Sequence, residues 1–149
     1  MSAVNEPVDK FRGLTRSVSA GLSTLRTSTP EVMKSFSELG KAATSAGTLD
    51  AKTKELIALA LSVAARCDPC IAFHAQTLVK LGATRQELDE TLGVTTYMGG
   101  GPSLMYAANA IAAYDAFPKA AAASTALERR SSTLASARRD APVWLCAIA

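Results

Sequence analysis

Cys67 and Cys70 enclose Asp68 and Pro69, and His74 follows four residues after Cys70. On a helix turning about 100° per residue, positions three and four apart share a face, so both thiols and the imidazole fall on one stripe. Two vicinal thiols can close to a disulfide, and a titratable base beside them can take the proton of a reacting thiol. Attack of the thiolate on a peroxide gives a sulfenic acid, with which a second thiol three residues away can condense. Asp68 sets a negative charge beside both thiols and Arg66 offsets part of it. The same spacing also serves as half of a zinc site or as a pair of buried thiols, and C-x-x-C alone does not choose among these. His74 shares its segment with the apolar Ile71, Phe73, Leu78, Val79 and Leu81. Taken alone, a histidine in such company is more often a hydrogen-bonded structural residue than a catalyst.

A chain of 149 residues suffices for one domain with its own core. Hydrophobic residues make up 48% and aromatic ones 5%, with alanine and leucine dominant and β-branched residues sparse, which favours helices. The three cysteines, two clustered and one near the end, do not make a secreted disulfide framework. The close pair is then expected to be a working dithiol in a reducing compartment. No apolar run approaches the roughly 18 residues of a membrane span, and no basic-then-apolar signal pattern opens the chain, so a cytoplasmic protein without membrane contact is expected. The net charge of +3 comes from residues 119–149, with five basic and two acidic side chains. The remainder is balanced and offers no basic patch for nucleic acid.

The elements that must position the dithiol follow from caps and periodicity. Phe11, Leu14, Val18, Leu22 and Leu25 recur at spacings of three and four, an amphipathic helix suited to docking or subunit contact, within a unit spanning residues 1–29. Thr29-Pro30-Glu31 reads as a helix start with Thr29 as cap, and Met33, Phe36, Leu39 and Ala43 as the apolar face. Asp50 caps a further helix whose run from Leu56 to Ala65 is apolar except for Ser62, so that protein is expected all round it, with Glu55 at its edge. The cysteine helix ends at Gly82, and Thr84 with Glu87 makes a capping box for the next. Gly99, Gly100 and Gly101 stop that helix and Pro102 starts another, carrying Leu104, Met105, Ala108, Ile111, Ala112 and Phe117. Neither a preceding strand nor a following Lys-Ser/Thr pair supports a phosphate loop at the triple glycine, which reads as a tight turn. Helical sequence thus spans residues 30–118. Residues 119–149 read as a poorly ordered basic tail with an apolar tip, Val143 to Ile148, that holds Cys146.

Glu55, twelve residues before Cys67, together with Cys67-x-x-Cys70-x-x-x-His74, the run from Met98 to Pro102 and the Tyr106-Ala107-Ala108 helix, resembles the carboxymuconolactone decarboxylase superfamily, and within it the alkyl hydroperoxidase D-like branch. The resemblance covers roughly residues 30–117. It departs from the hydroperoxidase itself in having Asp68 and Pro69 where that enzyme has a second histidine, and about one helical repeat where that enzyme has two. The resemblance implies an all-α, compact helical bundle that associates as trimers or hexamers. It also implies a dithiol enzyme that reduces hydroperoxides or exchanges with partner disulfides and is recharged by a thiol reductant, with no cofactor or metal. Cys67 and Cys70 would be the redox pair, with His74 and Glu55 as proton relay. Cys67 is nearer the helix dipole, but Cys70 has His74 at i+4, and with the resemblance this assigns Cys70 as attacking and Cys67 as resolving thiol. A carboxymuconolactone-type decarboxylase or lactone-handling enzyme is the alternative. A metal-binding or structural helical protein, with Cys67, Cys70, His74 and Glu55 as ligands, is the second.

Overall fold

The computed structural model describes residues 6–117. The expectations for residues 119–149, including the basic tail and Cys146, lie outside them. The described chain is helical throughout: α1 (Glu6–Ser28), α2 (Pro30–Thr44), α3 (Ala51–Ala64), α4 (Asp68–Lys80) and α5 (Arg85–Ala116). Among the described residues no helix is long and apolar enough to cross a membrane.

The core lies where α3, α4 and α5 pack on one another, with α1 laid across α4 and α5. Leu59 and Val63 of α3, Ile71, Ala75 and Leu78 of α4, and Leu88 and Ala110 of α5 are fully buried there. From Ser103 the buried side of α5 is mostly small, with Ala107, Ala110 and Ala113 permitting close helix approach. Tyr114 then spans to the α4–α5 connection, its hydroxyl donating to the Ala83 carbonyl at 2.5 Å.

The amphipathic first helix joins this core through its N-terminal half. Phe11 is buried within the same cluster, Leu14 packs against it, and burial fades through Val18 and Leu22 to the exposed Leu25. The Arg12 side chain donates to the Ala116 carbonyl at 2.5 Å and so ties α1 to the end of α5.

Two expected helix faces are corrected by the structure. In α2 the buried residues are Met33, Ser37 and Gly40, whereas Phe36, Leu39 and Ala43 of the anticipated apolar face are exposed. Beyond Met33 the helix turns its small residues to its neighbours and leaves Phe36 and Leu39 outside. In α3, Glu55, Leu59, Ser62 and Val63 are buried, but Leu61 is 65% exposed and Ile57 46%, so the fold covers one face rather than the whole circumference. The start of α2 also differs: Thr29 makes no capping bond with its side chain and instead donates to the Leu25 carbonyl at 2.9 Å. A residue before proline is pushed out of the helical region, which breaks α1 from α2 at this one position.

The other signals act as read. Asp50 accepts from the Thr53 N–H at 2.7 Å, and that bond holds its carboxyl below the usual range. Thr84 and Glu87 form the reciprocal capping box. Gly100, at φ 66° and ψ −159°, breaks α5 in a conformation open to glycine and costly for other residues.

Candidate functional site

The site begins at the end of α3, which closes in a Schellman arrangement. The Cys67 N–H donates to the Ser62 carbonyl at 3.0 Å and the Arg66 N–H to the Val63 carbonyl at 3.0 Å. Such a cap needs a left-handed residue, usually glycine, and Arg66 occupies it at φ 58°. Cys67 then serves as the N-cap of α4. Its carbonyl accepts from the Ile71 N–H at 2.9 Å, and its sulfur accepts from the Cys70 N–H at 3.3 Å. One residue therefore terminates α3 and initiates α4. Pro69 in the first turn spends no backbone donor that the helix could have used.

Cys67 and Cys70 are joined as a disulfide, with S–S 1.96 Å and Cα–Cα 5.3 Å. Both are half-buried, so the sulfurs sit at the protein surface rather than deep in the core. One turn further along α4, His74 places its Nδ1 2.7 Å from Oε2 of Glu55. Glu55 lies on the buried side of α3, 1% exposed, and its Oε1 has no hydrogen-bond partner. A carboxylate held against Nδ1–H fixes the tautomer and plane of the ring, leaving Nε2 to carry the lone pair of the neutral imidazole. Of the four residues singled out from the sequence, the structure thus pairs Cys67 with Cys70 and His74 with Glu55, with the second pair one turn further along α4.

Asp68 gathers partners from two other helices. Asn109 of α5 donates to its Oδ1 at 2.9 Å, and Lys10 of α1 places its ammonium 3.7 Å from Oδ2. Neither partner was legible in the sequence, because the contacts join positions far apart in the chain and no local pattern marks them. Arg66 was legible only as a charge, since nothing local distinguishes an arginine in a left-handed cap. Among the described residues no group of three or more His, Cys, Asp or Glu side chains is placed to hold a metal ion.

Comparison with known proteins agrees with this architecture. The profile of the carboxymuconolactone decarboxylase family matches residues 30–113. The crystal structure of apo-lpg0406, a carboxymuconolactone decarboxylase family protein from Legionella pneumophila, is 59% identical and superposes with a TM-score of 0.72 over 73% of this chain and 97% of that one. An uncharacterized protein of Cupriavidus necator is 47% identical over 87 residues, 58% of this chain and 77% of its own length. "Uncharacterized protein 4 in cox locus" of Paracoccus denitrificans is 34% identical over 80 residues, 54% of this chain and 72% of its own. With more than half of its length matched by the family profile and its helical fold shared by a solved member, the chain belongs to the carboxymuconolactone decarboxylase family.

Proposed function

We propose that the protein is a dithiol oxidoreductase of the alkyl hydroperoxidase D-like type, reducing hydroperoxides or exchanging with partner disulfides through Cys67 and Cys70. The observation that carries this reading is the disulfide seated at the start of α4, one turn from an imidazole oriented by a buried carboxylate. In the reduced enzyme, His74 takes the proton of the Cys70 thiol and the thiolate attacks the peroxide. An S–O bond forms and the O–O bond breaks. Cys70 becomes a sulfenic acid, and the departing alkoxide leaves as the alcohol with the proton returned by His74. Cys67 then attacks the Cys70 sulfur, water leaves, and the disulfide closes. Two electrons have passed from the dithiol to the peroxide, and an external thiol reductant restores them.

The joint suits this division of labour. A sulfur that receives a helix N–H is favoured as thiolate, which helps Cys67 both to resolve the sulfenic acid and to depart when a reductant thiol attacks Cys70. Glu55 holds the imidazole and offers its second oxygen to a proton in transit.

The test uses a Cys146→Ser background, so that only the two thiols of interest are counted. One equivalent of hydroperoxide should consume both thiols and leave the 67–70 disulfide in a peptide map. Cys67→Ser should yield a sulfenate on Cys70 that a dimedone probe traps, while Cys70→Ser reacts slowly. Retention of both thiols after peroxide rejects the peroxidase reading; retention after a partner disulfide as well rejects the dithiol reading. A sulfenate formed on Cys67 at the wild-type rate reverses the assignment of roles. The enzyme is also proposed to act as a homo-oligomer, a trimer or larger, in which the exposed Ile57 and Leu61 of α3 and Val94, Tyr97, Leu104 and Met105 of α5 find cover. Sedimentation as a monomer at micromolar concentration would rule that out.

A further inference from the structure

We infer that Asp68 governs how readily the Cys67/Cys70 dithiol ionises, with Lys10 of α1 as the counter-charge that moderates it. This inference rests on the dithiol reading and concerns the regulation of the same site. Asp68 is the first residue of α4 and stands between the two cysteines. A carboxylate in a first helical turn is favourable with the helix dipole, and that alone accounts for an acid at this position. The same charge opposes a thiolate forming within two residues of it.

How strongly it opposes depends on what faces it. Oδ1 takes a neutral donor, the Asn109 amide, and Oδ2 faces the Lys10 ammonium. Lys10 is placed by its neighbour: its ammonium lies 4.9 Å from the centroid of the Phe11 ring, and Phe11 is anchored in the core. Among the described residues, the charged and titratable groups placed beside the dithiol by chain position or by these contacts are Asp68 and His74 on α4, Glu55 on α3, Arg66 in the connection and Lys10 on α1. The side chain that α5 brings to Asp68, Asn109, is neutral. Among these, Lys10 and Asp68 form a pair whose balance can be altered without disturbing the Glu55–His74 hydrogen bond. Through it the first helix, which lies outside the segment matched to the family, reaches the redox pair.

The experiment titrates the fully reduced protein, in the Cys146→Ser background and at low salt, by thiolate absorbance and by the rate of iodoacetamide alkylation across pH. Asp68→Asn keeps the size of the side chain and can still accept from Asn109. It should raise the thiolate-to-thiol ratio at a given pH by roughly three- to tenfold, the effect of removing one nearby unit charge at surface-like screening. Lys10→Met should lower the ratio by about twofold, since half-exposed charges are screened more, and by no more than that when Asp68→Asn has already removed the anchor of the ammonium. A purely structural tether would lower the melting temperature and leave the titration curve in place. Coincident curves for wild type and Asp68→Asn overturn the inference. Should Asp68→Asn fail to fold by circular dichroism, Lys10→Met decides alone, and an unmoved curve then overturns it. The titration needs no peroxide, so a protein that shows these shifts yet ignores oxidants would refute the proposed function and leave the electrostatic inference standing.

Discussion

The α3–α4 joint and the α2 arm are built from the same helical material but differ in how fully each meets its own needs. At the joint, one residue's N–H, carbonyl and sulfur are all engaged, and the carboxylate behind it is buried and bonded to an imidazole. In α2, only Met33, Ser37 and Gly40 are buried, the N-cap side chain does not cap, and Val32, Phe36 and Leu39 face outward. The first region has a geometry fixed by several independent constraints, as a reacting dithiol requires. The second is held by a few contacts with α1 and α3 and contributes little to the core.

The sharpest way to break this contrast is at His74. Replacing His74 by alanine leaves Glu55 buried with neither oxygen paired. A buried acceptor left without its hydrogen-bond partner costs about 1–3 kcal/mol, and more when it is charged. Denaturant unfolding should show a loss in that range, and peroxide-driven thiol loss should slow by roughly 10²–10⁴, the contribution of a general base. A variant that keeps full stability would mean that the joint is no more constrained than the arm.

What was legible in the sequence divides along the same line. Caps are local chemistry, so Asp50, Thr84 with Glu87, Gly82 and the glycine break before Pro102 could be read from residues within four positions of one another. The face that a helix buries is a tertiary choice. Leucine and phenylalanine mark an apolar side, but after Met33 α2 packs its serine and glycine, since close approach favours small groups over large ones. The α3 helix carries apolar residues all round, a pattern that cannot show which side the single protomer covers. At the site, the helix spacing alone aligned Cys67, Cys70 and His74, whereas Glu55 entered through the family resemblance. Asp68's tie to Lys10 and Asn109 had no local signal at all.

Arg66 offers a smaller and opposite effect. A non-glycine residue in the left-handed region carries about 1 kcal/mol of strain. Arg66→Gly should therefore stabilise the fold by about 0.5–1 kcal/mol, read as an upward shift of the denaturation midpoint with unchanged m-value. A destabilised Arg66→Gly variant would mean that the arginine side chain contributes more at the joint than its backbone conformation costs.

Glu87 tests the same principle at the start of α5. Its carboxyl is held down to about 2 from an ordinary 4.5, first by the Lys52 ammonium at 2.5 Å and then by the Thr84 N–H. A depressed carboxyl stabilises the fold at pH values above its unfolded value, and that stabilisation is lost as pH falls through the folded one. Acid unfolding between about pH 4.5 and pH 2 should therefore be shallower in Glu87→Gln than in the wild type. Identical slopes would show that this half-buried pair is screened too well to matter.

The smallest effect is expected on the outer face of α2. Leu39 is 66% exposed, so Leu39→Ser removes little apolar contact from the protomer and should change stability by no more than about 0.5 kcal/mol. The measurement is thermal unfolding of wild type and variant at a low and a high protein concentration. Equal melting temperatures at both mean that the face meets only solvent. If a second copy covers it, the wild type gains stability with concentration while Leu39→Ser does not, because binding to the folded state alone shifts unfolding by mass action. The arm would then be incomplete only as a protomer, and the missing contacts would be found in the assembly.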